Sequence, residues 1–125
     1  MKLPTLRQAR GNQAERQAEQ LLLRHGMRCL ARNFRCKRGE LDLVMRDRDT
    51  VVFVEVRNRR RSQWGSAAES VDWRKQQKLI AAAQFYILSH PHLADSPCRF
   101  DVVAADGDPA DPANYQWIRE AFICQ

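Results

Sequence analysis

GELDLVMRDRDTVVFVEVR, residues 39–57, decides the fold. Two apolar runs flank the polar knot Asp47-Arg48-Asp49-Thr50, the pattern of two strands folded back on each other. With the turn centred between Arg48 and Asp49, facing residues have numbers summing to 97: Arg46 faces Val51, Val44 faces Phe53, Asp42 faces Glu55 and Glu40 faces Arg57. This register gathers Leu41, Leu43, Met45, Val52, Val54 and Val56 on one face, and a one-residue slip would mix the two faces.

The same register sets Asp42 and Glu55 about 5 Å apart at Cβ. Two like charges at that distance repel by ~3 kcal/mol at an effective dielectric of about 20. A cation between them, or a proton on one of them, relieves the conflict. Two carboxylates on rigid strands suit Mg²⁺ or Mn²⁺, because such ions take one or two carboxylates and complete their shell with water and substrate phosphate. The plainer alternative is an exposed ion-pair ladder in which Arg57 neutralises Glu40 and Glu55. The setting favours a metal site, since the acids stand mid-hairpin and beside the basic loop NRRRSQWGS, residues 58–66.

Working outward, residues 1–11 read as a flexible arm and residues 12–125 as a single domain. Residues 12–25 carry Ala14, Ala18, Leu21 and Leu22 at helical spacing, with Gly26 as the stop. MRCLARNFR reads as a strand that leads through a basic turn to Gly39. After the hairpin, Asp72 caps a second helix with Leu79, Ala82, Ala83 and Tyr86 on one face, which HPHLADSP ends. CRFDVVAA and YQWIREAF are two further strands. The order α-β-β-β-α-β-β implies a mixed central sheet flanked by helices.

Composition narrows the function classes. A chain of 125 residues with 44% apolar content buries enough surface to fold without disulfide or metal. Cys29, Cys36, Cys98 and Cys124 are widely separated and give no zinc spacing. No apolar run is long enough to span a membrane and the N-terminus lacks a signal-peptide centre, so a cytoplasmic protein is expected. Between Arg24 and Arg61 there are twelve basic and five acidic residues, against a net charge of +6 for the whole chain. A localised basic field points to nucleic acid ahead of membrane, the alternative being a merely solubilising surface.

The segments GNQAERQAEQLL, ARNFRCKRGELDLV, VVFVEVRNR, WGSAAESVDWRKQQKL and CRFDVV, spanning about Gly11 to Asp106, resemble the YraN-like family of small bacterial proteins. That family belongs to the PD-(D/E)XK superfamily, which includes Holliday-junction resolvases. The resemblance implies a restriction-endonuclease-like αβββαβ core and a Mg²⁺-dependent phosphodiesterase site on DNA, branched DNA included. Carried over by position, Asp42 is the first metal-binding acid, Glu55 the second, and Glu15 the extra acid that many such nucleases bring from the first helix. Arg57 stands where the E-x-K lysine belongs, and Lys75 or Lys78 reaches the same end of the sheet. Arginine stays charged at any relevant pH, so Arg57 clamps a phosphate or steadies charge and does not act as general base.

Arg59, Arg60 and Arg61 follow the acids directly and are read as phosphate contacts. Asp101 is read as a structural partner of Arg99 or of the basic loop. Trp64 and Trp73 are packing residues or stacking platforms for bases, and the histidines form no metal spacing. Two functions remain: a divalent-metal-dependent, structure-selective nuclease, and a binding module whose catalysis went with the motif lysine. A protein-binding adaptor has no further support, and oligomeric state is not legible.

Overall fold

The computed structural model describes residues 3–60 and 69–123. Along the chain run α1 (Leu6–Arg24), β1 (Arg28–Cys36), β2 (Gly39–Asp47), β3 (Thr50–Arg59), α2 (Trp73–Ser89), β4 (Cys98–Asp106) and β5 (Tyr115–Phe122). The strands form one sheet in the order β1-β2-β3-β4-β5. Only β3 and β4 pair in parallel, and α2 makes the crossover between them. This is the expected mixed α/β architecture: a restriction-endonuclease-like αβββαβ core with β5 added at the edge. No helix among the described residues is long and apolar enough to cross a membrane.

Both faces of the sheet are covered. On the α1 side Ala18, Leu22 and Met27 pack against Leu43, Met45, Val52, Val54 and Val103. On the α2 side Leu79, Ile80, Ala83 and Tyr86 pack against Val44, Val51, Phe53, Phe100 and Val102. Because β3 and β4 lie at the centre of this three-layer arrangement, they read as nearly continuous apolar runs. The hairpin register is as expected, with Val44 opposite Phe53 and Asp47 opposite Thr50.

Leu41 departs from the expected face. It packs on the α2 side with Phe34, whereas Leu43 lies on the α1 side. Arg32 pairs with Leu43 and Phe34 with Leu41, and the step between them falls at Asn33, whose φ is +51°. That left-handed residue, tolerated by asparagine, turns the strand pair over, so a two-residue period does not carry through.

Helix α1 begins at Leu6, not Asn12, and so takes in half of the segment expected as an arm. Thr5 and Gln8 form a capping box: Thr5 Oγ1 accepts from the Gln8 N–H at 3.1 Å and Gln8 Oε1 from the Thr5 N–H at 2.8 Å. The helix ends as expected at Gly26, whose φ of +87° permits a Schellman turn. There Met27 N–H donates to Leu22 O and Gly26 N–H to Leu23 O. Gly11 lies inside α1, and a Cβ added there meets nothing within 4 Å. Gly11→Ala should therefore stabilise the protein by about 0.5–1 kcal/mol, read as a rise in urea midpoint at constant slope.

Asp101 is fully buried in β4 and bonded to Arg99, as the sequence suggested.

Candidate functional site

The pairing of β2 with β3 stops at Leu43–Val54, one step short of the acids. Asp42 and Glu55 are therefore not ladder partners: the expected register holds as far as Leu43–Val54, and the expected pairing of the two acids is corrected. Asp42 instead turns its carboxylate across the gap and accepts the Val56 backbone N–H at 2.8 Å. This opening between strands lets groups from both faces of the sheet meet at one place.

Glu55 is 5% exposed. Its Oε2 lies 3.4 Å from Lys75 Nζ of α2 and 4.0 Å from Arg57 Nη1. Burial raises its proton affinity well above the carboxylate range, and a side-chain hydrogen bond with Asp42 and the charge of Asp42 raise it further; Lys75 and Arg57 oppose the shift. Glu15 reaches Asp42 from α1. Burial pushes its pKa up to about 7, reinforced by the charge of Asp42 and a side-chain hydrogen bond with it, then by Glu40, against Arg35. Three carboxyl groups from α1, β2 and β3 thus share a half-buried space in which full ionisation is unfavourable.

Arg57 is held in place, its Nη2 donating to the Ser70 carbonyl. Half of the ladder alternative forms: Arg57 pairs with Glu55 at 4.0 Å, but on a buried rather than an exposed carboxylate, and Glu40 pairs with Arg35 at 3.7 Å instead of with Arg57. Of the two candidate lysines, Lys75 is the one against Glu55. Lys78 is exposed, and its carbonyl lies over Gly39, where an added Cβ would sit 3.1 Å away. That close approach of helix to strand seats the first turns of α2 beside the acids. Asp72 caps α2 through the Lys75 N–H at 2.8 Å, and Trp73, 72% exposed, stands two residues from Lys75.

Arg59 differs from expectation. Its Nε is 2.9 Å from Asp106 Oδ1 and its side chain is 10% exposed, so it ties β3 to the end of β4 and is not turned outward to phosphate. Arg60 is exposed, while Arg61 and Trp64 lie outside the described residues. His25 and His90 bond to backbone carbonyls of their own helices. Among the described residues, no group of three or more His, Cys, Asp and Glu is arranged to hold a metal ion. A cation at this place would rest on Asp42 and Glu55, an all-oxygen pair suited to a hard divalent ion, with Glu15 acting through water.

The sequence does not show what orients the site: the Val56 N–H that holds Asp42, the Ser70 carbonyl that holds Arg57, and the turn at Asn33. An asparagine within an otherwise apolar and basic strand was the one visible signal.

The profile of the uncharacterised protein family UPF0102 matches residues 14–105. A UPF0102 protein of Pseudomonas syringae pv. syringae (strain B728a) is 56% identical over 116 residues, covering 93% of this chain and 94% of the relative. One from Stutzerimonas stutzeri (strain A1501) is 56% identical over 115 residues, covering 92% and 95%. One from Pseudomonas paraeruginosa (strain DSM 24068 / PA7) is 52% identical over 114 residues, covering 90% and 91%.

Proposed function

The chain belongs to the UPF0102 family, and from that premise and the acid cluster we propose a divalent-cation-dependent nuclease acting on a phosphodiester laid across the gap between β2 and β3. One observation carries this reading: Glu15, Asp42 and Glu55 converge from three elements, with Lys75 and Arg57 against the most buried of them. Like charges gathered in a half-dry space cost stability and serve no packing purpose. Asp42 and Glu55 would hold Mg²⁺ or Mn²⁺, in the place that protons take without it. When bound, such a cation supplies Lewis acidity toward phosphate and lowers the proton affinity of water.

The chain's own groups have distinct tasks. Arg57, fixed by Ser70, presents a planar guanidinium that can clamp a phosphate oxygen at two points. Lys75 contributes from α2 the amine that the E-x-K position lacks, and this observation favours catalysis over a binding-only module. Trp73 offers an exposed ring on which a base can stack.

The test is Mn²⁺-dependent cleavage of branched and single-stranded DNA. Asp42→Asn is expected to lower the rate by at least ~10²-fold, and Lys75→Ala to lower the rate while leaving Mn²⁺ affinity within a few-fold. Equal residual cleavage by wild type and Asp42→Asn would indicate a contaminant and remove the nuclease reading. Salt-sensitive binding that ignores EDTA, without cleavage, would support the binding module instead.

A further inference from the structure

The buried stripe of α1 runs through Ala14, Ala18 and Leu22 where the helix covers the sheet. Continued toward the N-terminus at the same spacing, that stripe passes through Gly11, Arg10 and Arg7, all before the covered part begins. The stripe therefore changes from apolar to basic as the helix overhangs the end of β3. Under the overhang lies a cleft of about 1090 Å³, lined by Arg7, Arg10, Gly11, Arg59, Arg60 and Asp108 among others.

The charges in the cleft do not cancel. Arg59 is paired with Asp106, and the Asp108 carboxylate accepts the Ala110 N–H of its own loop at 2.9 Å. Arg7, Arg10 and Arg60 are exposed and outnumber Asp108. Arg7 also stands in the first turn of α1, which holds no acidic residue. A cation there is opposed by the helix dipole, so the local structure gains nothing from it. An anionic ligand reverses that balance, since it meets both the arginine and the helix terminus.

The cleft adjoins the acid cluster along two shared elements. Glu55 to Asn58 is three residues of strand, about 10 Å, and Glu15 to Gly11 is one helical turn, about 6 Å. Ten ångströms is roughly three steps along a duplex axis. We propose that the overhang of α1 and the end of β3 form a phosphate track, in which Arg7, Arg10 and Arg60 hold the backbone of the strand flanking the acid cluster. This rests on the nucleic-acid reading above and adds to it a second contact region and the direction in which the strand leaves.

The experiment is fluorescence anisotropy of a labelled single-stranded oligonucleotide between 50 and 200 mM salt, in EDTA, on the full chain. Arg7→Ala/Arg10→Ala/Arg60→Ala is expected to flatten the slope of log affinity against log salt by about 2 and to weaken binding at low salt by at least ~10-fold. The three-lysine counterpart should keep the slope. All three positions are exposed, so helix content and melting temperature serve as the folding control. An unchanged slope and affinity in the alanine variant would overturn the track while leaving the acid-cluster reading standing. A wild-type chain that binds neither single-stranded nor branched DNA would overturn both.

Discussion

Asp101→Ala is expected to destabilise the protein by about 3–5 kcal/mol, a large share of the ~5–15 kcal/mol that holds a domain of this size. Asp101 is 0% exposed and its carboxylate serves three donors on two strands at once. It accepts from Arg99 Nε at 3.1 Å, from Trp117 Nε1 at 3.0 Å and from the Glu120 backbone N–H at 3.1 Å. Glu120 has a φ of +47°, at the irregularity where β5 shifts register on β4. The carboxylate thus fixes the edge-strand bulge, while Arg99 carries the link on to Asp47 at the hairpin turn, 3.1 Å away.

Alanine would leave three part-buried donors without this acceptor, each at some cost of desolvation. Thermal unfolding should shift down by roughly 10–20 °C. Asp101→Asn keeps the shape and loses the charge, so it should fall between wild type and alanine. Asp47→Ala removes a partner that is 27% exposed and should cost less than either. An Asp101→Ala protein within ~1 kcal/mol of wild type would mean that Arg99 is satisfied elsewhere, and the account of the bulge would fail.

The contrast between Asp101 and Asp42 marks what a sequence can and cannot convey here. Both are acids inside apolar strands. Asp101 has an arginine two residues away on its own strand, so its neutral pairing is readable locally. Asp42 has no such partner, and the register up to Leu43–Val54 points it at Glu55 without showing that the ladder stops there and that the two acids meet across the gap. The helices and strands were legible for the same reason: their periods are local. The α1 start was equally local, a capping box at Thr5 and Gln8, but the run after it is polar and carries Gly11, so periodicity does not mark it.

Long-range partners were not legible. Arg59 looks like its neighbours in a basic run until Asp106, 47 residues later, turns it inward. Leu41 belongs by alternation with Leu43, and only the left-handed Asn33 on a neighbouring strand moves it to the other face. The acids of the site were found from charge conflict; the backbone N–H that aims Asp42 and the backbone carbonyl that aims Arg57 are recorded by no side-chain pattern.

In the absence of divalent cations, stability is expected to fall as pH rises from about 4.5 toward 8. Glu55 and Glu15 both bind protons more tightly in the folded chain than their ordinary pKa of 4.5 allows, Glu15 to about 7 and Glu55 higher. Between those limits the native state carries protons that the unfolded chain has released, so unfolding releases protons and a higher pH favours it. Below about 4.5 both states are protonated and the penalty is absent; above the folded values it is fully felt, most of it from buried Glu55, because solvent screens the half-exposed Glu15. Glu55→Gln removes the most buried contributor. Lys75 and Arg57 are about one-third exposed, and Arg57 keeps the Ser70 carbonyl, so both can be satisfied without the charge. The variant should therefore melt higher than wild type at pH 8 and show a shallower dependence on pH. Millimolar Mn²⁺ should raise the wild-type melting temperature at pH 8, flatten its pH profile, and leave Glu55→Gln nearly unmoved. A Glu55→Gln protein that melts lower than wild type at pH 8 without cation would identify Glu55 as a plain ion-pair partner of Lys75 and Arg57. The case for a cation between the acids would then be lost.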